Sequence, residues 1–130
     1  MDERRKQPRY AISVPVMGVV IDSTGLRRGL NAATLNVSLD GVAVAFHGRP
    51  NTITTLSTLL SDARSLNLEV HLSSLGPRIR ALGTLRWHET RSISRSRRYF
   101  VAGIHLEEIE PEDRANWEQF VQEAAGSRAI

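Results

Sequence analysis

The sequence contains no cysteine, few aromatic residues and no long apolar run. Without cysteine, disulfides, thiolate metal ligands and thiol nucleophiles are excluded. The aromatic fraction of 5% supplies little for a platform that stacks single-stranded nucleic acid. No stretch reaches the roughly 18 apolar residues of a membrane span, and the first residues are charged, so neither a span nor a signal peptide is predicted. We therefore expect a cytosolic protein.

The sequence also lacks the common catalytic motifs. It has no G-x-S-x-G elbow, no phosphate-binding G-x-x-x-x-G-K-[ST] loop and no G-x-G-x-x-G run. The histidines fall on separate segments without the spacing of a metal site, which favours ordinary surface or barrel positions. We therefore predict a binding protein without catalytic residues, metal or cofactor. The four histidines are His47, His71, His88 and His105.

Charge is divided unevenly along the 130 residues, a length that suits one domain. Residues 1–106 carry 15 Lys/Arg against 7 Asp/Glu, a net charge of +8, whereas residues 107–130 carry 2 against 7, a net charge of −5. A basic body attracts phosphate-bearing ligands, either a small nucleotide or nucleic acid.

Alternating apolar residues predict a mainly β structure. A change of phase beside Gly18 predicts a bulge in the first strand. Residues 52–64 have the helical spacing of a short helix or helical loop, and residues 111–125 predict a C-terminal helix that ends at Gly126. We expect an all-β fold, a six-stranded antiparallel β-barrel with a helical cap, over residues 10–126. The strands are predicted near residues 12–21, 26–35, 42–46, 66–72, 79–88 and 99–106, with residues 89–98 joining the last two.

An arginine-rich segment, Arg4-Arg5-Lys6-Gln7-Pro8-Arg9, precedes the first strand. A guanidinium can hold a phosphate with two hydrogen bonds, and the same geometry matches the O6/N7 edge of guanine. Arg5 and Arg9, four residues apart, could therefore reach different parts of one guanine dinucleotide. The alternative is a disordered, solubilising tail. We treat residues 1–9 as a flexible switch segment that folds over a ligand.

A polar turn, Asn36-x-Ser38-x-x-Gly41, opens the third strand. Asn36 offers a carbonyl to guanine N–H groups and an amide to phosphate or ring acceptors, and Ser38 adds a hydroxyl. Gly41 permits the tight backbone that brings both groups near a ligand. The alternative is a side-chain-capped turn that only starts a strand.

The order and spacing of Arg5-x-x-x-Arg9 and Asn36-x-Ser38-x-x-Gly41 resemble the signature of PilZ domains, which bind cyclic di-GMP. The segments Gly83 to Trp87 and Tyr99 to Leu106 resemble later strands of that family, so the likeness covers nearly the whole chain. The resemblance implies a PilZ-like split barrel. It also implies that the arginines clamp phosphates and guanines while Asn36 and Ser38 hold a guanine edge.

Three further residues enter through this resemblance. An arginine directly before the RxxxR spacing, here Arg4, is associated in similar proteins with two mutually stacked cyclic di-GMP molecules. Arg86 is a candidate for extending the phosphate surface, unless it only decorates an exposed loop. Trp87 could stack on a guanine, but it shares the parity of Ile79, Ala81 and Leu85, which favours core packing.

The resemblance implies a receptor that passes the ligand signal to a protein partner through the arginine segment. Asn36 stands where the family more often has Asp, which predicts reduced affinity because an amide is the weaker acceptor. Two alternatives stay open: a PilZ-like interaction module that has lost ligand binding, and, less favoured, a small-barrel nucleic-acid binder.

Overall fold

The computed structural model describes residues 8–22, 25, 27–48, 63–72, 76–92, 94–95 and 98–128. Within them, seven strands precede one helix: β1 (Tyr10–Ala11), β2 (Pro15–Asp22), β3 (Arg27–Ser38), β4 (Gly41–Gly48), β5 (Ala63–His71), β6 (Arg78–Ser92), β7 (Arg98–Ile109) and α1 (Pro111–Arg128). Residues 52–62 of the predicted short helix lie outside this description, and β5 begins at Ala63.

Six of the strands close into an antiparallel barrel. The order is β3-β2-β5-β6-β7-β4, and the β3–β4 pairing completes the circle, while β1 pairs with β3. Closure leaves these six strands no free edge to pair with another chain. The expected six-stranded barrel with a C-terminal helix is thus confirmed, and β1 is an addition that the sequence did not predict.

The barrel encloses a core of alternating side chains. Val16, Val20, Leu68 and Val70 point inward from β2 and β5, as period-2 patterning requires. The predicted bulge near Gly18 is wrong, because the β2–β3 register is unbroken from Pro15 to Ile21. The apolar residues of the other parity face outward instead, and Met17 is 50% exposed.

Helix α1 covers the core with a stripe of apolar side chains. It starts with Pro111, which suits the first turn, followed by acidic residues at the positive end of the helix dipole. The helix continues to Arg128, so Gly126 does not end it. The buried stripe consists of Trp117, Phe120, Val121 and Ala124.

The start of α1 is fixed to β6 by hydrogen bonds. The backbone N–H and the Nε of Arg80 donate to Asp113 Oδ2 at 3.0 and 3.1 Å, and the Glu110 N–H donates to the Arg80 carbonyl at 3.0 Å. The side-chain hydrogen bond to Asp113 raises the pKa of Arg80 above its ordinary value. Asp113 is largely buried, so this contact sets the position of the helix.

No described helix is long and apolar enough to cross a membrane. Among the described residues, no group of three or more His, Asp and Glu side chains could hold a metal ion.

Candidate functional site

The Asn36–Gly41 turn joins β3 to β4 through two residues, Leu39 and Asp40. Ser38 pairs with Gly41 across the turn and is only 3% exposed. Its hydroxyl donates to Asp40 Oδ1 at 3.0 Å and lies 3.4 Å from the Gly41 carbonyl oxygen. The hydroxyl is therefore engaged within the turn, and Asp40 is its partner, which sequence reasoning had missed.

Gly41 serves close packing between strands. A Cβ at this position would lie 3.1 Å from the carbonyl oxygen of Ile104 on β7. Its backbone does not need glycine's left-handed conformation, since among the described residues only Gly25 has a positive φ. A backbone hydrogen bond beside Gly41, from the Leu106 N–H to the Asp40 carbonyl at 2.8 Å, holds the turn against β7.

Strand β1 brings the end of the arginine-rich segment to this turn. Tyr10 pairs with Val37 and Ala11 with Asn36. The exposed Arg9 comes directly before Tyr10 and therefore lies beside Ser38, the last residue of β3. Arg9 and Asn36, which are 27 positions apart in sequence, are therefore neighbours on one edge of the fold. Arg4 and Arg5 lie outside the described residues.

A buried threonine fixes the path of the chain between β1 and β2. The Val14 N–H donates to Thr34 Oγ1 at 2.9 Å, and the same hydroxyl donates to the Ile12 carbonyl at 2.5 Å. The register with β3 slips by one residue here, because Ala11 pairs with Asn36 but Pro15 with Ala33. The hydroxyl therefore provides hydrogen-bond partners for the Val14 N–H and the Ile12 carbonyl where the register changes, and this keeps β1 paired with β3.

Trp87 lies on the outer surface of the barrel and not in the core. The β6–β7 register shifts between Leu85 and Trp87, which reverses the parity, and Trp87 is 37% exposed. The parity argument for core packing was therefore wrong. Arg86, the extra residue at this shift, is exposed.

The pairings place Trp87 and Asn36 on one face of four adjacent strands. Trp87 pairs with Gly103, Gly103 with Ala43, and Ala43 with Asn36. The row spans three strand spacings of about 4.8 Å, so its ends lie roughly 14 Å apart measured along the curved sheet. We call this row, together with Ala11 and Arg9 at its β1 end, the motif wall.

The middle of the motif wall is made of small residues. A Cβ at Gly103 would collide with the indole ring of Trp87, so the ring lies directly over the Gly103 backbone. Ala43 is 2% exposed but does not belong to the barrel core. A Gly inside a strand is typical of close approach, and Gly103 in the last predicted strand was a sequence signal for this floor.

Two exposed arginines at the ends of the motif wall, Arg9 and Arg86, differ in their ion pairing from arginines elsewhere on the barrel. Arg80 is held by Asp113 and Glu112, and Arg91 pairs with Glu89. The hydrogen bonds that Arg91 donates to Tyr99 and to Glu89 raise the pKa of Arg91. Within the described part of the chain, neither Arg9 nor Arg86 forms an ion pair. These two guanidiniums flank the small-residue floor at opposite ends of the row.

Comparisons with known proteins agree on one family. The family model described as PilZ domain matches residues 3–123. No curated protein matches the chain in sequence.

Solved structures share the fold at low sequence identity. The chain is similar to the Bacillus subtilis inhibitor of motility MotI/DgrA, with a TM-score of 0.65 and 17% identity over 98% of this chain and 53% of that one. It is also similar to the PilZ domain of YcgR from Escherichia coli with c-di-GMP, with a TM-score of 0.60 and 10% identity over 97% and 95%.

A third similar structure is the Borreliella burgdorferi PlzA protein in complex with c-di-GMP, with a TM-score of 0.56 and 12% identity over 95% of this chain and 54% of that one. The chain thus spans about half the length of the MotI/DgrA and PlzA chains.

Proposed function

This chain belongs to the PilZ domain family, and we propose that it is a cyclic di-GMP receptor of a bacterial cytosol that carries out no reaction. The observation that carries the proposal is the β1–β3 pairing, which brings Arg9, directly before β1, to the turn that contains Asn36 and Ser38. Similar PilZ structures were solved with this ligand, which supports the same ligand class here.

In the proposed complex, the motif wall holds the bases and the arginines hold the phosphates. Asn36 accepts from guanine N–H groups, while Arg5 and Arg9 grip phosphates and the guanine O6/N7 edge. Trp87 stacks on a base, and Arg86 extends the phosphate contacts from β6. Ser38 acts through the turn, because its hydroxyl is already bonded to Asp40.

These contacts are enough for a useful affinity. A charge-assisted hydrogen bond contributes about 1.5–3 kcal/mol, and a micromolar dissociation constant needs about 8 kcal/mol. Three or four arginine contacts with one stacked base supply about this value and also offset the entropy lost when the segment before β1 is ordered over the ligand. We propose that this ordering changes the surface offered to a protein effector.

The first test is calorimetric titration of cyclic di-GMP into Arg5→Ala and Arg9→Ala. Each variant should bind at least tenfold more weakly with the fold intact, because each loses a charge-assisted contact. Arg114→Ala, which removes an exposed arginine from α1, is the matched control and should bind like the parent. Parent-like binding by both test variants would contradict the proposal.

Competition distinguishes the proposal from its alternatives. Saturable cyclic di-GMP binding that excess GTP does not displace supports the receptor. Salt-dependent binding of unrelated oligonucleotides without such a site would indicate a nucleic-acid binder. Absence of both would leave a PilZ-like interaction module that has lost its ligand.

We further propose two stacked ligands per domain, with Arg4 contacting the second. Titration should then saturate at two equivalents, and Arg4→Ala should reduce this to one. Saturation of the parent protein at one equivalent would rule the second ligand out while leaving the receptor proposal intact.

A further inference from the structure

A second surface feature lies on the barrel side away from the motif wall. It is a groove of about 670 Å³ that crosses the outer faces of β3, β2, β5 and β6 and reaches the end of β7. We call it the acidic groove and define it by six lining residues. They are Met17, Val19, Glu69, Leu82, Glu108 and Glu110.

The floor of the acidic groove is open and carries two exposed apolar side chains. Met17 and Leu82 are 50% and 37% exposed, and they come from strands on either side of β5. Asn67 and Glu69 of β5 lie between them. Gly29, which pairs with Val19, widens the groove because a Cβ there would meet nothing within 4 Å. Exposed apolar side chains framed by polar groups are typical of an interaction site.

The rim of the acidic groove carries unneutralised negative charge. Within the described residues, Glu108 and Glu110 form no ion pair, whereas Glu69 is bonded to Arg78 at 3.0 Å. Arg80, the groove's own cation, is already bound to Asp113 and Glu112 on α1 at 3.1 and 3.2 Å. Among the described lining side chains, three carboxylates thus face one guanidinium that is already paired, and this lining is anionic on a chain whose net charge is +3.

We propose that the acidic groove docks a basic, amphipathic segment of a partner protein. Apolar side chains of the segment would cover Met17 and Leu82, and Lys or Arg side chains would pair with Glu108 and Glu110. The carboxylates argue against a phosphate-bearing occupant, because like charges repel. A groove of about 670 Å³ accommodates several side chains, which suits a short segment.

The proposal is independent of cyclic di-GMP. The groove uses residues 29–31 of β3 and 80–82 of β6, whereas the motif wall uses Asn36 and Trp87 farther along the same two strands. The two sites share no residue. The acidic groove would stand even if the chain bound no nucleotide.

The test uses a blocked octapeptide of alternating arginine and leucine as the probe, with a glutamate–leucine octapeptide as its charge-reversed counterpart. The basic probe should bind the full chain saturably and the acidic one should not. Gly29→Arg should weaken binding at least tenfold, since it fills the groove with a cation at a site where a side chain meets no obstacle.

Gly126→Arg is the matched control, because it makes the same change at another exposed glycine with nothing within 4 Å of its Cβ. It should bind the probe within twofold of the parent, and both variants should keep the parent's far-ultraviolet circular dichroism. Equal binding by Gly29→Arg and the parent would overturn the proposal. So would binding of the acidic peptide, or no binding of the basic one.

A second pair of variants separates charge from apolar contact. Glu108→Gln combined with Glu110→Gln should weaken the basic probe and reduce its salt dependence, whereas Glu118→Gln on α1 should do neither. Met17→Ser should weaken it at every salt concentration. If the double Gln variant binds like the parent, the charge argument fails and the groove has no preference for a basic partner.

Discussion

Two glycines determine how closely the backbone is approached at the motif wall and at the adjoining turn. Gly41 lets β4 approach the Ile104 carbonyl, and Gly103 lets the Trp87 indole lie over β7. Neither has a positive φ, so glycine is required at both positions because it has no side chain and not because of its backbone conformation. A methyl group at either position tests the wall without changing a polar group.

Gly103→Ala should weaken cyclic di-GMP binding about fivefold or more, since a displaced Trp87 loses a stacking contact of at least about 1 kcal/mol. The change should cost little stability, because the ring it displaces is 37% exposed and can move outward. Calorimetric titration with urea unfolding measures both effects.

Gly29→Ala is the control, because its new methyl group meets no atom and lies outside the motif wall. It should leave ligand binding unchanged. If Gly103→Ala binds as tightly as Gly29→Ala, Trp87 has no part in the site.

Two contacts with neighbouring elements hold the Asn36–Gly41 turn in place. Strand β1 is fixed to β3 by the Thr34 hydroxyl. Helix α1 is joined to the turn by Trp117, whose buried indole Nε1 donates to the Leu39 carbonyl at 3.1 Å. Strand β1 and the C-terminal helix therefore both contact the same turn.

Thr34→Val should lower the free energy of unfolding by about 1–3 kcal/mol, because Val14 N–H and the Ile12 carbonyl lose their buried partner. It should also weaken ligand binding, as β1 no longer holds Arg9 beside the turn. Urea unfolding and titration check the two effects. Thr84→Val, which removes an exposed bond to Glu107, should change stability by less than about 0.5 kcal/mol.

Trp117→Phe should lower the free energy of unfolding by about 1–3 kcal/mol, since it leaves the Leu39 carbonyl without its donor and shrinks a fully buried ring. Trp87→Phe provides the comparison and should cost clearly less, because Trp87 is partly exposed. Equal losses in the two variants would show that the hydrogen bond to the turn contributes nothing.

Periodicity predicted the barrel and its helix well, because each strand buries one face. It failed where a register shift reverses that face. Trp87 follows the shift between Leu85 and Trp87, and the extra residue there, Arg86, is not of a type that marks a bulge. The hairpin prediction was also too short, since β6 continues to Ser92 and β7 begins at Arg98.

The sequence motif named candidate residues of the site but not the contacts that position them. It included Asn36, Ser38 and Gly41, yet the Ser38 hydroxyl donates to Asp40, which the pattern leaves unspecified. The acidic groove was hidden because its lining residues come from five strands, which only the pairing of the folded sheet brings side by side.

The whole barrel should become more stable when ligand binds, since binding to the folded state alone shifts the unfolding equilibrium. A ligand concentration of 100 times the dissociation constant should raise the free energy of unfolding by about 2.7 kcal/mol. Two independent ligands of equal affinity would double this. Urea unfolding at a series of cyclic di-GMP concentrations measures the increase, and no increase at saturation would contradict the receptor proposal.

The chain has two tryptophans, and their surroundings make them separate optical probes. Trp87 is 37% exposed on the motif wall, while Trp117 is 1% exposed beneath the turn. Acrylamide should therefore quench the emission of Trp87 first, leaving the blue-shifted emission of Trp117. With Trp117→Phe the remaining signal follows the ligand, and with Trp87→Phe it follows unfolding, so the two variants report the two events without an added label.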